Sequence, residues 1–260
     1  MTDERNTVPT FADRVAFERR SLARLSSMIT PLLDPIDRGA VRYNVVSSDG
    51  WQGSFGSARV AIEIGVPPGR VDLARLILGR GDKRREGNRK LNALTRMLDS
   101  SRDATVMGVH FTLSLPQLRD EERHVDAHLD RDPPRSSVSL RQQREQVCDY
   151  LRLLAGGLLT TDEVPRMIVR CAAGGPESNG IDEYEIDQVR PIEGRDLTGR
   201  FIGAGGGNVE AMDTLCKAFA RAQGVEMKPV VTVIRSGADA PRRPKAVAPR
   251  DVVVYSYRAR

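Results

Sequence analysis

Two stretches of this chain, residues 10–115 and 137–236, pass through the same order of elements around a glycine-rich turn. That order is helix, strand, strand, short helix, glycine loop, helix, strand. In the second stretch the turn runs through Gly199, Gly203, Ala204, Gly205, Gly206 and Gly207. In the first it spans Gly79 to Gly87. Asp72-Leu73 matches Asp196-Leu197, and Ile77-Leu78-Gly79 matches Phe201-Ile202-Gly203. Gly87-Asn88 then matches Gly207-Asn208 once the first loop is allowed a few extra residues. Similarity at domain-length period is the mark of two copies of one supersecondary unit. The expected fold class is therefore α+β, with two α-β-β-α-α-β units, each a small three-stranded sheet backed by helices.

Local patterns supply the elements. Thr10 and Asp13 form a capping-box pattern, and Phe11, Val15, Leu22, Leu25, Ile29 and Leu32 recur at helical spacing up to Pro31 and Pro35. Val41, Tyr43 and Val45 alternate as a strand, and Ser47-Ser48-Asp49-Gly50 reads as the turn that ends it. Residues 59–64 and 109–115 are strands, and Leu91, Leu94, Met97 and Leu98 mark a helix. The second copy opens with Ser139 and Gln142 as a capping box, then Val147, Leu151, Leu154 and Leu158 on one face. Strands follow at Met167–Val169, around Tyr184 and Ile186, and at Val230–Ile234, with an additional one at Val252–Tyr257. Between the copies, residues 117–136 are highly charged with Pro133-Pro134, the composition of a linker. The units are thus 10–116 and 137–260.

The helix–glycine loop–helix flanked by strands resembles the type II KH domain, with Gly203 and Gly206 as the fixed glycines of its isoleucine-glycine-x-x-glycine segment. The resemblance implies a tandem KH-like protein that grips the backbone of single-stranded RNA, or single-stranded DNA, without catalysis. It implies that Gly203, Ala204, Gly205 and Gly206 present backbone N–H groups. Arg200, with Arg80, Lys83, Arg84 and Arg85 of the first loop, would neutralise phosphates. The chain departs from the pattern in both copies. A basic residue usual inside GxxG is replaced by Ala204-Gly205, so Arg200 or Arg195 must supply the charge. In the first copy Asp82 follows Gly79-Arg80-Gly81 and the second glycine is missing.

Two other readings of the loop stay open. A structural or protein-interaction module that has lost nucleic-acid binding would fit the neutral Ala204-Gly205 pair, and a protein partner would then replace RNA. A nucleotide-dependent enzyme would need a long apolar strand directly before Gly203, where only Phe201 and Ile202 are apolar. No nucleophile–base pattern stands out, so no catalytic residue and no cofactor is expected. His124 and His128 lie four apart beside acidic residues, but within the linker, which favours a solvated segment over a metal site. Trp51 and Phe55 suit either base stacking or packing against the sheet. Arg235, Arg242, Arg243, Lys245 and Arg250, among prolines, suit a solvated connection or an extra phosphate contact.

Composition agrees with this without deciding it. The net charge of +5 permits a polyanionic partner. Three well-separated cysteines, outside any C-x-x-C spacing, argue against a disulfide framework or zinc site and for a reducing cytoplasm. The first residues lack a signal-peptide pattern, and no apolar run approaches a membrane span.

Overall fold

A computed structural model describes residues 9–33, 35–51, 58–70, 73–74, 77, 84–115, 137–172, 179–188, 197–234 and 252–253, with backbone alone for 84–88 and 252–253. Arg80, Lys83, Phe55, Arg195, the linker with His124 and His128, and the C-terminal basic segment lie outside these residues.

The first unit comprises α1 (Phe11–Ile29), β1 (Arg42–Asp49), β2 (Ala58–Gly65), α2 (Arg84–Asp99), α3 (Arg102–Met107) and β3 (Val109–Ser114). The second comprises α4 (Leu140–Gly156), β4 (Met167–Ala172), β5 (Ile181–Gln188), α5 (Thr198–Ile202), α6 (Gly207–Ala222), β6 (Lys228–Val233) and β7 (Val252–Val253). The first sheet has the order β1-β2-β3, with β1 antiparallel and β3 parallel to β2. The second repeats this, β4 antiparallel and β6 parallel to β5, and gains β7 beside β4. A parallel pair needs a crossover connection. In the second unit that crossover carries α5, the glycine loop and α6.

Both opening helices begin at the expected boxes. Thr10 and Asp13 cap each other's backbone N–H groups, as do Ser139 and Gln142. Each satisfies donors that a helix start leaves without partners. Along β2 and β3, alternate residues turn inward: Ala58, Val60, Ile62 and Ile64, and Val109, Phe111 and Leu113, are buried. His110, Thr112 and Ser114 face out. Phe17 of α1 stacks on Phe111 with ring centroids 5.8 Å apart and meets Trp51 edge-on at the same distance. Trp51 is therefore a core residue, not a base-stacking platform. A loop tryptophan gains more by burying its ring than by waiting in water for a ligand.

Two expectations are corrected. Ser47, Ser48 and Asp49 do not turn. β1 shifts register between Val45 and Ser47, then keeps pairing with Ala61, Val60 and Arg59. The bulge lets an exposed polar edge continue the ladder. The basic segment after Gly79 is not loop throughout, since α2 begins at Arg84 and takes in Arg85, Glu86 and Gly87. Charged residues with good helix propensity extend a helix as readily as they form a loop. Finally, α3 between α2 and β3 was not anticipated.

The sheets are separate, but the core is continuous: buried residues of both units form one cluster. α2 packs against α6. Tyr150 of α4 donates its hydroxyl to Met28 O at 2.8 Å and stacks on Phe219 with centroids 4.6 Å apart. Gln223 Nε2 donates to Pro31 O at 2.6 Å, and Arg102 N to Gly157 O at 3.2 Å. Among the described residues, no helix is long and apolar enough to cross a membrane.

Cys148, Cys171 and Cys216 are free and buried. Burial raises the Cys216 thiol well above the usual thiol value and pushes the Cys148 and Cys171 thiols up to about 12. A thiol at that value is roughly one part in ten thousand thiolate at pH 8, and thiolate is the reactive form. Native protein treated with iodoacetamide at pH 8 should therefore gain label only as fast as it opens, whereas denatured protein labels at all three. Mass spectrometry reads both. Labelling of any of the three within minutes under native conditions would contradict this burial.

Candidate nucleic-acid interface

The glycine loop is placed by the end of β5. Gln188 Oε1 accepts from Leu197 N at 2.8 Å, and its Nε2 reaches Thr198 Oγ1 at 3.5 Å. Phe201, 1% exposed, anchors α5 in the core. What precedes Gly203 is thus a helix, not the strand that a dinucleotide-type phosphate loop requires.

Gly203 adopts φ 69° and ψ 173°, a region essentially restricted to glycine. It also has no room for a side chain, because a Cβ there would lie 2.5 Å from Asn208 Cγ. Gly205 and Gly206 follow at φ 63° and 81°. The chain then enters α6, whose first turn has no side-chain cap. An uncapped helix start favours negative charge beside it.

The loop differs from expectation in how its donors are used. Gly203 N–H donates to Gly199 O at 2.9 Å, and Gly206 N–H to Gly203 O at 3.2 Å. Those two donors are committed within the loop. The exposed residues are Ala204 and Gly205, so the backbone meets solvent there. Arg200 is also not available as expected. Its guanidinium pairs with Glu163, a residue only 5% exposed. Burial pushes the Glu163 carboxyl up, but hydrogen bonds from Thr160 and the charge of Arg200 outweigh it, and the net shift is downward. Glu163 is therefore ionised at neutral pH and holds Arg200. The pair loses its attraction only as pH falls through a value below the usual glutamate range.

A cation does reach the loop, from the first unit. Arg96 of α2 donates through Nε to Asn208 Oδ1 at 2.9 Å and through a terminal nitrogen to Ala204 O at 3.4 Å. Ser100 Oγ joins the same Asn208 oxygen at 2.8 Å, and Asn208 Nδ2 donates to Arg200 O at 2.7 Å. Asn208 is 4% exposed, whereas Arg96 keeps part of its surface in solvent. The sequence reading missed Arg96, Asn208 and Glu163. Arg96 sits on the polar side of an amphipathic helix, and nothing local marks a contact more than a hundred residues away.

Beside the loop, a groove of about 550 Å³ runs between α6 and β6. Ile202 and Gly206 close its loop end, and Val209, Val230 and Val233 give it apolar surface. Glu210, Asp213 and Lys217 border it. Asp213 pairs with Lys217 at 2.6 Å and accepts from Val231 N at 3.1 Å, which ties α6 to the edge strand. Of the other expected site residues, Arg84 and Arg85 fall in the first turn of α2, and Arg80 and Lys83 lie outside the described residues. Among the described residues, no cluster of three or more His, Cys, Asp or Glu is arranged to hold a metal.

No protein-family model, curated protein or solved structure matches this chain. Any functional reading rests on the geometry above.

Proposed function

We propose that this chain binds single-stranded RNA, or single-stranded DNA, without chemistry, along the α6–β6 groove. One observation carries the reading: a largely apolar groove ends at Gly206, next to the exposed Ala204-Gly205 backbone, and a guanidinium reaches Ala204 O. Bases lie against Ile202, Val209, Val230 and Val233. The sugar–phosphate backbone crosses Ala204-Gly205 and the start of α6, and Arg96 takes the place of the basic residue that the loop lacks. The tandem KH-like resemblance points the same way, as does the repeated strand–crossover–parallel strand order in both units.

The test is fluorescence anisotropy with a labelled mixed-sequence single-stranded RNA. Ala204→Asp with Gly205→Asp should weaken binding by about tenfold or more at low salt, because two carboxylates then face the phosphates. Arg96→Gln should weaken it and flatten the dependence of log K on log salt by about 0.7, one phosphate's share for a single strand. Arg96→Lys keeps the charge and should keep the slope. Unchanged affinity in the double-acidic variant would remove this loop from the binding surface.

A second reading, a protein-interaction module, is favoured by the carboxylates of Glu210 and Asp213 at the groove. It predicts no RNA retention even at low salt. An added strand from a partner would have to displace Asp213 from Val231 N, the hydrogen bond that covers part of the β6 edge.

A further inference from the structure

A second pocket, of about 390 Å³, lies where the units meet and shares no lining residue with the α6–β6 groove. α1 and the start of α3 form one wall, and the segment from the end of α4 to Pro165 forms the other. Its charge is one-sided. Arg20, Arg24 and Arg102 line it against a single carboxylate, Asp103, and Asp103 is already 3.0 Å from Arg20 Nε.

Arg24 is the residue left short. Its Nε is buried and has no hydrogen-bond partner, and a terminal nitrogen makes only a long contact, 3.5 Å, with Leu154 O. Burial lowers its pKa to about 10, with Asp103 the one opposing charge, so at neutral pH it remains a cation. Its guanidinium also lies flat on the chain at Gly157, where a Cβ would fall 1.5 Å from it. Gly157 has an ordinary helical backbone, φ −74° and ψ −10°, so the missing side chain serves space and not conformation. A partly buried cation with an unmet donor is costly unless an anion completes it. Ser101 and Thr161 place hydroxyl-bearing side chains on the same walls.

We propose that this seam pocket binds a phosphate group, held by Arg24 and Arg102 with hydroxyls from the walls. The shared chemistry is a dianionic phosphate, either free or as the phosphomonoester of a nucleotide, and the volume has room for more than the phosphate alone. Arginine suits the task because its planar fork matches two phosphate oxygens. The inference does not depend on the nucleic-acid reading of the glycine loop.

The test uses the full chain. Calorimetric titration with inorganic phosphate, adenosine 5′-monophosphate and adenosine is paired with melting curves in phosphate or chloride at equal ionic strength. Saturable binding of the phosphate-bearing probes, none of adenosine, and a higher Tm in phosphate are expected. Tighter binding of the monophosphate than of inorganic phosphate would identify a phosphomonoester, and equal binding the free ion. Arg24→Met should abolish both binding and the phosphate-dependent rise in Tm. In chloride its Tm should match or exceed that of the unaltered protein, because an uncompensated cation has gone. Arg102→Gln should weaken binding by about tenfold, with no loss of Tm in chloride. No saturable heat for either phosphate probe, or undiminished binding in Arg24→Met, would overturn the proposal.

Discussion

Replacing Arg144 with methionine should destabilise the chain by about 3–5 kcal/mol, the usual cost of stranding one member of a buried ion pair. Asp182 is the second residue of β5 and its side chain is 0% exposed. Arg144 of α4 meets it with two hydrogen bonds, Nε to Oδ2 at 2.8 Å and a terminal nitrogen to Oδ1 at 3.1 Å. Without the guanidinium, the buried carboxylate loses both of these hydrogen bonds and the positive charge that offsets its burial. That costs more than the loss of a surface pair would. At about 2–4 °C per kcal/mol for a chain of this size, Tm should fall by roughly 10 °C. The charge, not the lost volume, is the cause, so Asp182→Leu added to Arg144→Met should recover much of the deficit. Calorimetric melting of the two variants checks both statements. A single-variant loss below about 1 kcal/mol would mean that the pair behaves like a solvated one.

Asn208→Ala should cost about 2–4 kcal/mol, because one amide serves both units, and under the proposed function it should also weaken RNA binding. Its oxygen accepts from Arg96 and Ser100, and its nitrogen donates to Arg200 O. Truncation leaves the Arg96 and Ser100 donors and the Arg200 carbonyl without that partner, in a place where Asn208 itself is 4% exposed. The loop loses its brace at the same time, since Gly203 folds directly over this side chain. Asn208→Asp separates the contributions. It keeps the acceptor for Arg96 and Ser100 but sets a carboxylate oxygen against the Arg200 carbonyl, so its cost should be smaller than that of Asn208→Ala but still measurable. Denaturant unfolding gives the stabilities, and anisotropy gives the affinities. If Asn208→Ala changes stability by less than about 0.5 kcal/mol, the clasp does not hold the units together.

Features that rest on local chemistry were legible. Both capping boxes start helices where Thr10 and Ser139 stand, and the alternation in 59–64 and 109–115 appears as β2 and β3. The repeat was legible as element order, and the β1-β2-β3 and β4-β5-β6 pairings follow it, with β7 added to the second sheet; the register at Gly79 lies outside the described residues. Features that rest on distant partners were not. α3 has Ala104 as its only buried residue, too little for a stripe. Ser47 to Asp49 carry no apolar mark of a strand and depend on β2 to become one. At the site, the glycines announce the loop's backbone, but its charges are set elsewhere. Arg200 is drawn off by Glu163, thirty-seven positions away, and Arg96 arrives from the other copy.

The Arg96–Asn208 contact means that the two copies no longer answer for their own sequences. A map of damaging substitutions, position by position, would register changes in α2 as defects of the second copy's loop, although that loop is more than a hundred residues downstream. The copies are similar in plan yet are not spares for one another. At this loop the second unit supplies the turn, and the first supplies the guanidinium that lies against it.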